Sequence, residues 1–436
     1  MTHWIGSSLR ARFEGAMIGL ALGEAIGSLA PGKLAAESEY AEKALTDLPP
    51  QLEPGWRTLA TLAVAKSCID SGRYDPGQAA ATVSALTRAE EPAHQPELSS
   101  VLSSLPAAVM GNLWALHDLA PLAEAAAGRV AGNDAIRDAA RLLAQVFAAA
   151  LRGQLPLDDL DDGTDLPAHV RQLAKRPLSS FARADHPLDA ARLAVWAAAQ
   201  TEPPLRTLAS IASQHCGDPA LCATVGLLLG ARWGSGAVRR ALTARSAEES
   251  RLIRMARQIL ARSRMQPFAD PPVPFDGAYW LLPAELMAGH HPSLDPERSV
   301  MLARSGVRAF MDFTEPGELP PYSLPTDDTY YCRLPVPDTE PPTPRQAAKA
   351  VRQLIGWTER GMIGYFHCFG GIGRTGTVAA LFLQDYLDVS AEEALSVLRA
   401  LRRAYGLLTP SPESPRQHDL VRSWIWIKEA AEKIED

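Results

Sequence analysis

Cysteine is scarce in this chain of 436 residues: five, at Cys68, Cys216, Cys222, Cys332 and Cys368, an odd and widely spaced set. Such a set excludes a disulfide framework and points to a reducing compartment, the cytoplasm. Positive charge is not in excess either, with 43 Lys and Arg against 50 Asp and Glu and a formal net charge of -7. Nucleic acids and anionic membranes select basic faces, so neither is an expected partner. No apolar run reaches the roughly 18 residues of a membrane-spanning helix. The opening stretch LRARFEGAMIGLALGEAIGSLA has the basic residues, apolar core and small residues of a secretory signal. Glu14 and Glu24 bracket that core, however, and a first buried helix is the better reading.

Strand-like alternation is nearly absent from residue 1 to about 262. AIRDAARLLAQVFAAALRG, LRTLASIASQHCG and ALCATVGLLLGARWG instead place small and apolar residues three and four apart, the period of a helix face. This part is expected to be all-α, with helices close-packed through Ala and Gly. No repeat recurs at a fixed period. Pro267, Pro271, Pro272 and Pro274 then break helix and mark a linker over 263–274.

After the linker the pattern alternates. YWLLPAELMAG, GVRAFMDFTE, TYYCRLPVPD and GMIGYFHC read as strands. TPRQAAKAVRQLIGWTER reads as a helix with Thr343 at the N-cap and Pro344 in its first turn. RTGTVAALFLQDYL reads as a buried helix, and SAEEALSVLRALRRAYG opens on a capping box of Ser390 and Glu393. Strands alternating with helices predict an α/β domain over 275–436 around a mostly parallel central sheet.

Between the last strand and the buried helix lies HCFGGIGRTG, His367 to Gly376. A chain reversal there turns backbone N–H groups inward, and the helix adds its positive end, so the loop is an anion nest. The lysine of a nucleotide-binding P-loop is missing. Cys368 and Arg374 stand in its place. A nest of this kind favours a thiolate over a thiol. The arginine fork suits two phosphoryl oxygens, and a thiolate beneath them attacks phosphorus in line. Phe369, Gly370, Gly371, Ile372, Gly373 and Thr375 would line the bound phosphoryl group. Thr375 is placed to bond the thiolate, and His367 to fix the loop.

HCFGGIGRTG resembles the signature loop of cysteine-based protein phosphatases of the dual-specificity type, and the resemblance extends over about 275–430. It implies a carboxylic acid on a separate loop to protonate the leaving oxygen. PVPDTEPPTP supplies Asp338, thirty residues before Cys368, with Glu340 as the nearby competitor. The resemblance also implies that Gln417, in SPESPRQHDLVRSW, helps place the hydrolytic water. Asp312 reads as structural. The loop between Cys368 and Arg374 holds no Lys or His, which by the resemblance favours a phospho-residue over an inositol lipid. No cofactor is implied.

RFEGAMIGLALGEAIG and HCGDPALCATVGLLLGARWG resemble the first and last motifs of ADP-ribosylglycohydrolases, over about 9–262. That family binds magnesium with carboxylates of TDDT and DxDT segments, as a hard cation requires. Here Arg57, Thr58, Leu59 and Ala60 stand near the first and Asp218, Pro219, Ala220 and Leu221 at the second. An arginine opposes a metal, so the domain 1–262 reads as inactive, with no metal and a pocket for an ADP-ribosyl or nucleotide ligand or none. His215, Cys216 and Cys222 fit no standard zinc spacing. Cys332 reads as a packed strand thiol, and Arg402 with Arg403 as a solvated helix end. The expected function is hydrolysis of phosphomonoesters, phosphotyrosine above all and phosphoserine or phosphothreonine besides, through a phospho-cysteine. The alternatives are a scaffold that binds phospho-ligands and ADP-ribose, and a bifunctional phosphatase and ADP-ribosylglycohydrolase.

Overall fold

The computed structural model describes residues 7–28, 54–71, 77–78, 81–82, 101–102, 134–153, 172–173, 175–177, 180–181, 186–214, 218–242, 246–265, 270–320, 322, 324 and 329–432. His215, Cys216, Pro267 and the side chain of Cys68 lie outside them. The chain forms two compact units, Leu9–Ser263 and Arg264–Asp436. No described helix is long and apolar enough to cross a membrane.

The first unit is helical throughout its described residues: α1 (Leu9–Gly27), α2 (Trp56–Ser71), α3 (Asp134–Leu151), α4 (Pro187–Ala199), α5 (Pro204–Gln214), α6 (Pro219–Trp233), α7 (Ser235–Val238) and α8 (Ala247–Arg264), whose last residue opens the second unit. α1, the stretch that resembled a secretory signal, is buried along almost its whole length. Its glycines recur every four residues and so share one face. That face meets α6 backbone to backbone. A Cβ on Gly19 would stand 2.1 Å from the Gly226 carbonyl oxygen, and one on Gly226 would stand 2.0 Å from that of Gly19. Helix ends are closed by side chains. Asp218 accepts from the N–H groups of Ala220 and Leu221 at 2.9 and 3.1 Å, and Arg12 donates to the Leu151 carbonyl at 2.7 Å.

The second unit is an α/β domain. Its sheet has the order β1 (Ala278–Leu282), β2 (Leu286–Gly289), β5 (Gly364–His367), β3 (Ala309–Asp312), β4 (Tyr330–Arg333). β1 and β2 are antiparallel and the other pairings are parallel. The sequence reads 279–289 as one strand. The structure makes it a hairpin, because Pro283 has no N–H for the ladder and Ala284 turns the chain at φ 57. α9 (Arg298–Arg304), α10 (Pro344–Glu359), α11 (Gly373–Leu387), α12 (Ala391–Ala404) and α13 (Pro415–Glu432) complete the unit. α10 and α12 carry the capping boxes of Thr343 with Gln346 and Ser390 with Glu393. β2, β3 and β5 are buried along their whole length, as strands covered on both faces are. Asp270, within the proline-rich stretch, is held by both terminal nitrogens of the buried Arg264 at 2.7 and 2.6 Å and by the Tyr405 hydroxyl at 2.8 Å.

Candidate active site

The parallel strands end together. Gly289 and Asp312 each pair with His367, and Arg333 pairs with Asp312. The crevice outside such strand ends is where open α/β sheets hold ligands, and β5 leaves its end directly into the loop of Cys368. The loop is drawn outward by its carbonyls. The Cys368 oxygen meets His367 Nδ1 at 3.3 Å, and that of Phe369 accepts from His291 N at 2.9 Å. That of Gly371 accepts from Arg402 at 2.8 Å, and that of Ile372 from the Ser411 hydroxyl at 2.7 Å. In a trans peptide the N–H points opposite to the carbonyl. The N–H groups of Phe369, Gly370, Ile372 and Gly373 are thereby turned to the inside. Gly371 sits at φ 61, and a Cβ there would stand 2.5 Å from the Gly289 carbonyl carbon, so this turn requires glycine.

Cys368 is buried and Phe369 beside it is exposed. α11 begins at Gly373 with no side chain capping its N-terminus, which leaves its positive end to the loop. The buried Thr375 Oγ1 makes no hydrogen bond within the protein. His367, wholly buried, has Nε2 2.8 Å from the Tyr322 hydroxyl. Burial pulls the pKa of His367 down to about 3, which keeps the ring neutral.

Arg374 is 1 % exposed and gathers the site. Its terminal nitrogens meet the two oxygens of Glu318 at 2.7 and 2.6 Å and the Val336 carbonyl at 3.1 Å. Nη2 also lies 2.9 Å from Asp338 Oδ1. Burial alone would lower the pKa of Arg374, but the Glu318 carboxylate, with Cys368 and Asp338, outweighs it and pushes the pKa up. Glu340 faces elsewhere, bound to Arg416 at 2.9 Å. Of the two carboxylates on this loop, the structure brings Asp338 to the nest. Gln417 is buried against the loop, and its amide is engaged. Oε1 accepts from the N–H groups of Glu413 and Ser414, each at 3.0 Å, and Nε2 donates to the Glu340 carbonyl at 3.2 Å. It ties the loop of Asp338 to α13.

Two contributors escape the sequence reading. Glu318, with its bidentate hold on Arg374, has no local signal in DFTEPGEL. Arg402 is no solvated helix end. It is 4 % exposed, over the Tyr279 ring and bound to the Gly371 carbonyl. Its position four residues after the buried Leu398 is the signal that could have found it.

In the helical unit the place of the magnesium ligands is taken by an ion pair. Glu24, 2 % exposed, turns one oxygen to Arg57 N at 3.0 Å. The other accepts from Thr58 N at 2.9 Å and the Thr58 hydroxyl at 2.7 Å. The Arg57 guanidinium lies 3.5 Å from Glu24 Oε1. A resident cation and a carboxylate occupied by a helix end do not fit magnesium.

Residues 276–405 match the family model described as "Swiss Army Knife protein, DSP-PTPase phosphatase domain". Residues 6–268 match the model described as "ADP-ribosylglycohydrolase". Among solved structures, Tk-PTP in its active form is 24% identical over 36% of this chain and 98% of its own, with a TM-score of 0.30. Kinase associated phosphatase, with serine for its catalytic-site cysteine, is 20% identical over 37% of this chain and 98% of its own, with a TM-score of 0.31. An ADP-ribosylglycohydrolase-related protein complex is 20% identical over 59% of this chain and 99% of its own, with a TM-score of 0.45. The second of the two family models spans more than half of the chain, which therefore belongs to the ADP-ribosylglycohydrolase family and carries a DSP-PTPase phosphatase domain behind the helical unit.

Proposed function

We propose that the protein hydrolyses phosphomonoesters by cysteine catalysis, with protein phosphotyrosine as the principal substrate and phosphoserine or phosphothreonine as lesser ones. Arg374 supports this reading: one buried guanidinium lies 2.9 Å from the carboxylate of Asp338 and interacts electrostatically with Cys368. In the reaction the Cys368 thiolate attacks phosphorus as the ester P–O bond breaks, and Asp338 gives its proton to the departing oxygen. Asp338, now a carboxylate, takes a proton from water as the water oxygen attacks phosphorus. The P–S bond breaks, inorganic phosphate leaves and the thiolate returns. The inward N–H groups and Arg374 stabilise the equatorial oxygens throughout. Phe369, exposed at the loop, offers an apolar flank to an aromatic leaving group.

Turnover of p-nitrophenyl phosphate in EDTA, lost in Cys368→Ser, is the expected result. Turnover that survives Cys368→Ser removes the mechanism. A panel of phosphopeptides trapped on Asp338→Ala ranks the substrates.

For the helical unit we propose binding of an ADP-ribosyl or nucleotide ligand without magnesium-dependent turnover, on the family match and on the Glu24–Arg57 pair. Calorimetric titration with ADP-ribose, with and without magnesium, tests it. Release of ADP-ribose from modified protein, abolished by EDTA, would favour the bifunctional reading instead.

A further inference from the structure

The reaction above makes no use of Asp312, yet this residue lies at the end of β3, paired with the histidine that precedes the nucleophile. It is wholly buried and its carboxylate is saturated with donors. Oδ1 accepts from Thr314 N and Oγ1 at 2.8 and 2.6 Å. Oδ2 accepts from the Tyr331 hydroxyl at 2.8 Å and from Arg333 Nε and Nη2 at 3.0 and 2.8 Å. Burial opposes its charge, but His367, Thr314 and Tyr331 outweigh burial and hold its pKa at about 2. His291 approaches from the other side. Its Nε2 is 3.9 Å from Oδ2 and makes no hydrogen bond. His291, Asp312 and His367 have the composition of a metal site, with ligand atoms within 4.8 Å of one another. Both carboxylate oxygens are already engaged and one faces a guanidinium, so the cluster works as an ion-paired support rather than as a cation site.

What it supports is the tautomer of His367. The Cys368 carbonyl can only accept, so the 3.3 Å contact puts the ring proton on Nδ1. Nε2 is then the acceptor for the Tyr322 hydroxyl. Asp312 Oδ1 lies 3.9 Å from the same Nδ1, and an anion at that distance favours the proton on the near nitrogen. In the other tautomer the Nδ1 lone pair would face both the carboxylate and the carbonyl. We propose that Asp312 is a positioning residue, which selects the Nδ1–H tautomer of His367 and so holds the first peptide of the nest with its carbonyl outward and the Phe369 N–H inward. The role rests on the phosphatase reading. Its electrostatic balance is set by the groups that face the cluster. Arg333 and Tyr331 come from β4, His291 from the segment after β2, Tyr322 from the loop after β3, and Glu318 from the site. Arg333 is the cation that neutralises Asp312. Without it, an unbalanced anion beside the loop opposes the Cys368 thiolate.

The test uses the full chain labelled with nitrogen-15 at histidine. Wild type is expected to show His367 with the proton on Nδ1. Asp312→Asn, close in shape, is expected to move it to Nε2 and to lower kcat/KM for p-nitrophenyl phosphate at least tenfold. A folded Asp312→Asn that keeps the Nδ1 proton and the wild-type rate overturns the proposal. Arg333→Gln, at a partly exposed position, serves if Asp312→Asn does not fold. The Nδ1 tautomer should persist while the acid limb of the kcat/KM profile moves to higher pH. An acid limb that stays, or moves the other way, shows that the charge of Asp312 is not felt at the loop and overturns it equally. Lack of any turnover by wild type would sink the phosphatase reading, and the tautomer of His367 would still decide the claim about Asp312.

Discussion

In each unit one helix carries a buried arginine at its second position, and each of these two arginines faces a glutamate from far along the chain. Arg57 follows Trp56 in α2 and faces Glu24. Arg374 follows Gly373 in α11 and faces Glu318. The difference lies at the helix end. Glu24 accepts from the backbone N–H groups of Arg57 and Thr58, so the positive end of α2 is closed by the protein's own carboxylate. Glu318 accepts from the guanidinium of Arg374 and from the N–H of Glu315 in its own loop, not from the amides of α11, and no side chain caps α11. The same pair of residue types thus closes one helix end and leaves the other without a side-chain cap. An arginine marks an anion site only where the amides beside it have no partner from the protein.

The comparison breaks most severely if the two arginines are exchangeable in effect. Arg374→Met is expected to lower kcat/KM for p-nitrophenyl phosphate about 10³-fold, because the equatorial charge of the transition state loses its fork. Arg57→Met is expected to leave that rate unchanged and to lower the melting temperature. Steady-state kinetics with a thermal scan on both variants decides it. Equal losses of rate would mean that α2 and α11 do not differ as argued.

Asp338→Asn comes next. It should cost about 10²-fold in kcat with an alkyl phosphate, whose leaving oxygen needs the proton, and clearly less with p-nitrophenyl phosphate, whose phenoxide departs unaided. A loss independent of the leaving group would assign Asp338 to holding Arg374, the contact it makes at 2.9 Å, and not to proton transfer.

Legibility in the sequence followed the range of the interactions. The nest and the helix caps are local: His367 to Gly376 is contiguous, and Thr343 with Gln346 and Ser390 with Glu393 stand three apart. Asp338 could be proposed from sequence because chemistry demands an acid, and the fold places it beside Arg374 while Glu340 turns to Arg416. Glu318 was not legible, since its partner lies 56 residues on and a glutamate in a polar loop carries no mark. The hairpin of β1 and β2 was hidden by an apolar run on both sides of Pro283. Asp312 reads as structural in the sequence, and only the register of β3 and β5 puts it beside His367.

The carboxylate of Asp312 gives a smaller effect with a definite sign. Its pKa is depressed to about 2 in the folded protein, against about 3.9 when unfolded. Its contribution is therefore complete above the unfolded value and is lost as pH falls through about 4 to below 2, about 2.6 kcal/mol in all. Urea unfolding of the phosphatase unit between pH 5 and pH 2.5 should show this slope, and Asp312→Asn should flatten it. No contribution of this kind comes from Arg57 or Arg374, which stay charged throughout.

Glu24→Gln is the mildest change and separates the two roles of that carboxylate. The amide oxygen of glutamine can still accept from the α2 backbone, whereas the ionic attraction to Arg57 is lost and an N–H is set beside a guanidinium. The expected cost is about 1–2 kcal/mol, read as a lower melting temperature of the helical unit, with the rate on p-nitrophenyl phosphate unchanged. Glu24→Ala removes the cap as well and should cost more, by about 1 kcal/mol for the lost N-terminal acceptor. If the two variants are equally destabilised, closure of the α2 end contributes nothing beyond the charge pair. The contrast with α11 would then rest on Arg57 alone. If magnesium raises the melting temperature of Glu24→Gln or of wild type, the resident cation does not exclude a metal and the helical unit is open after all.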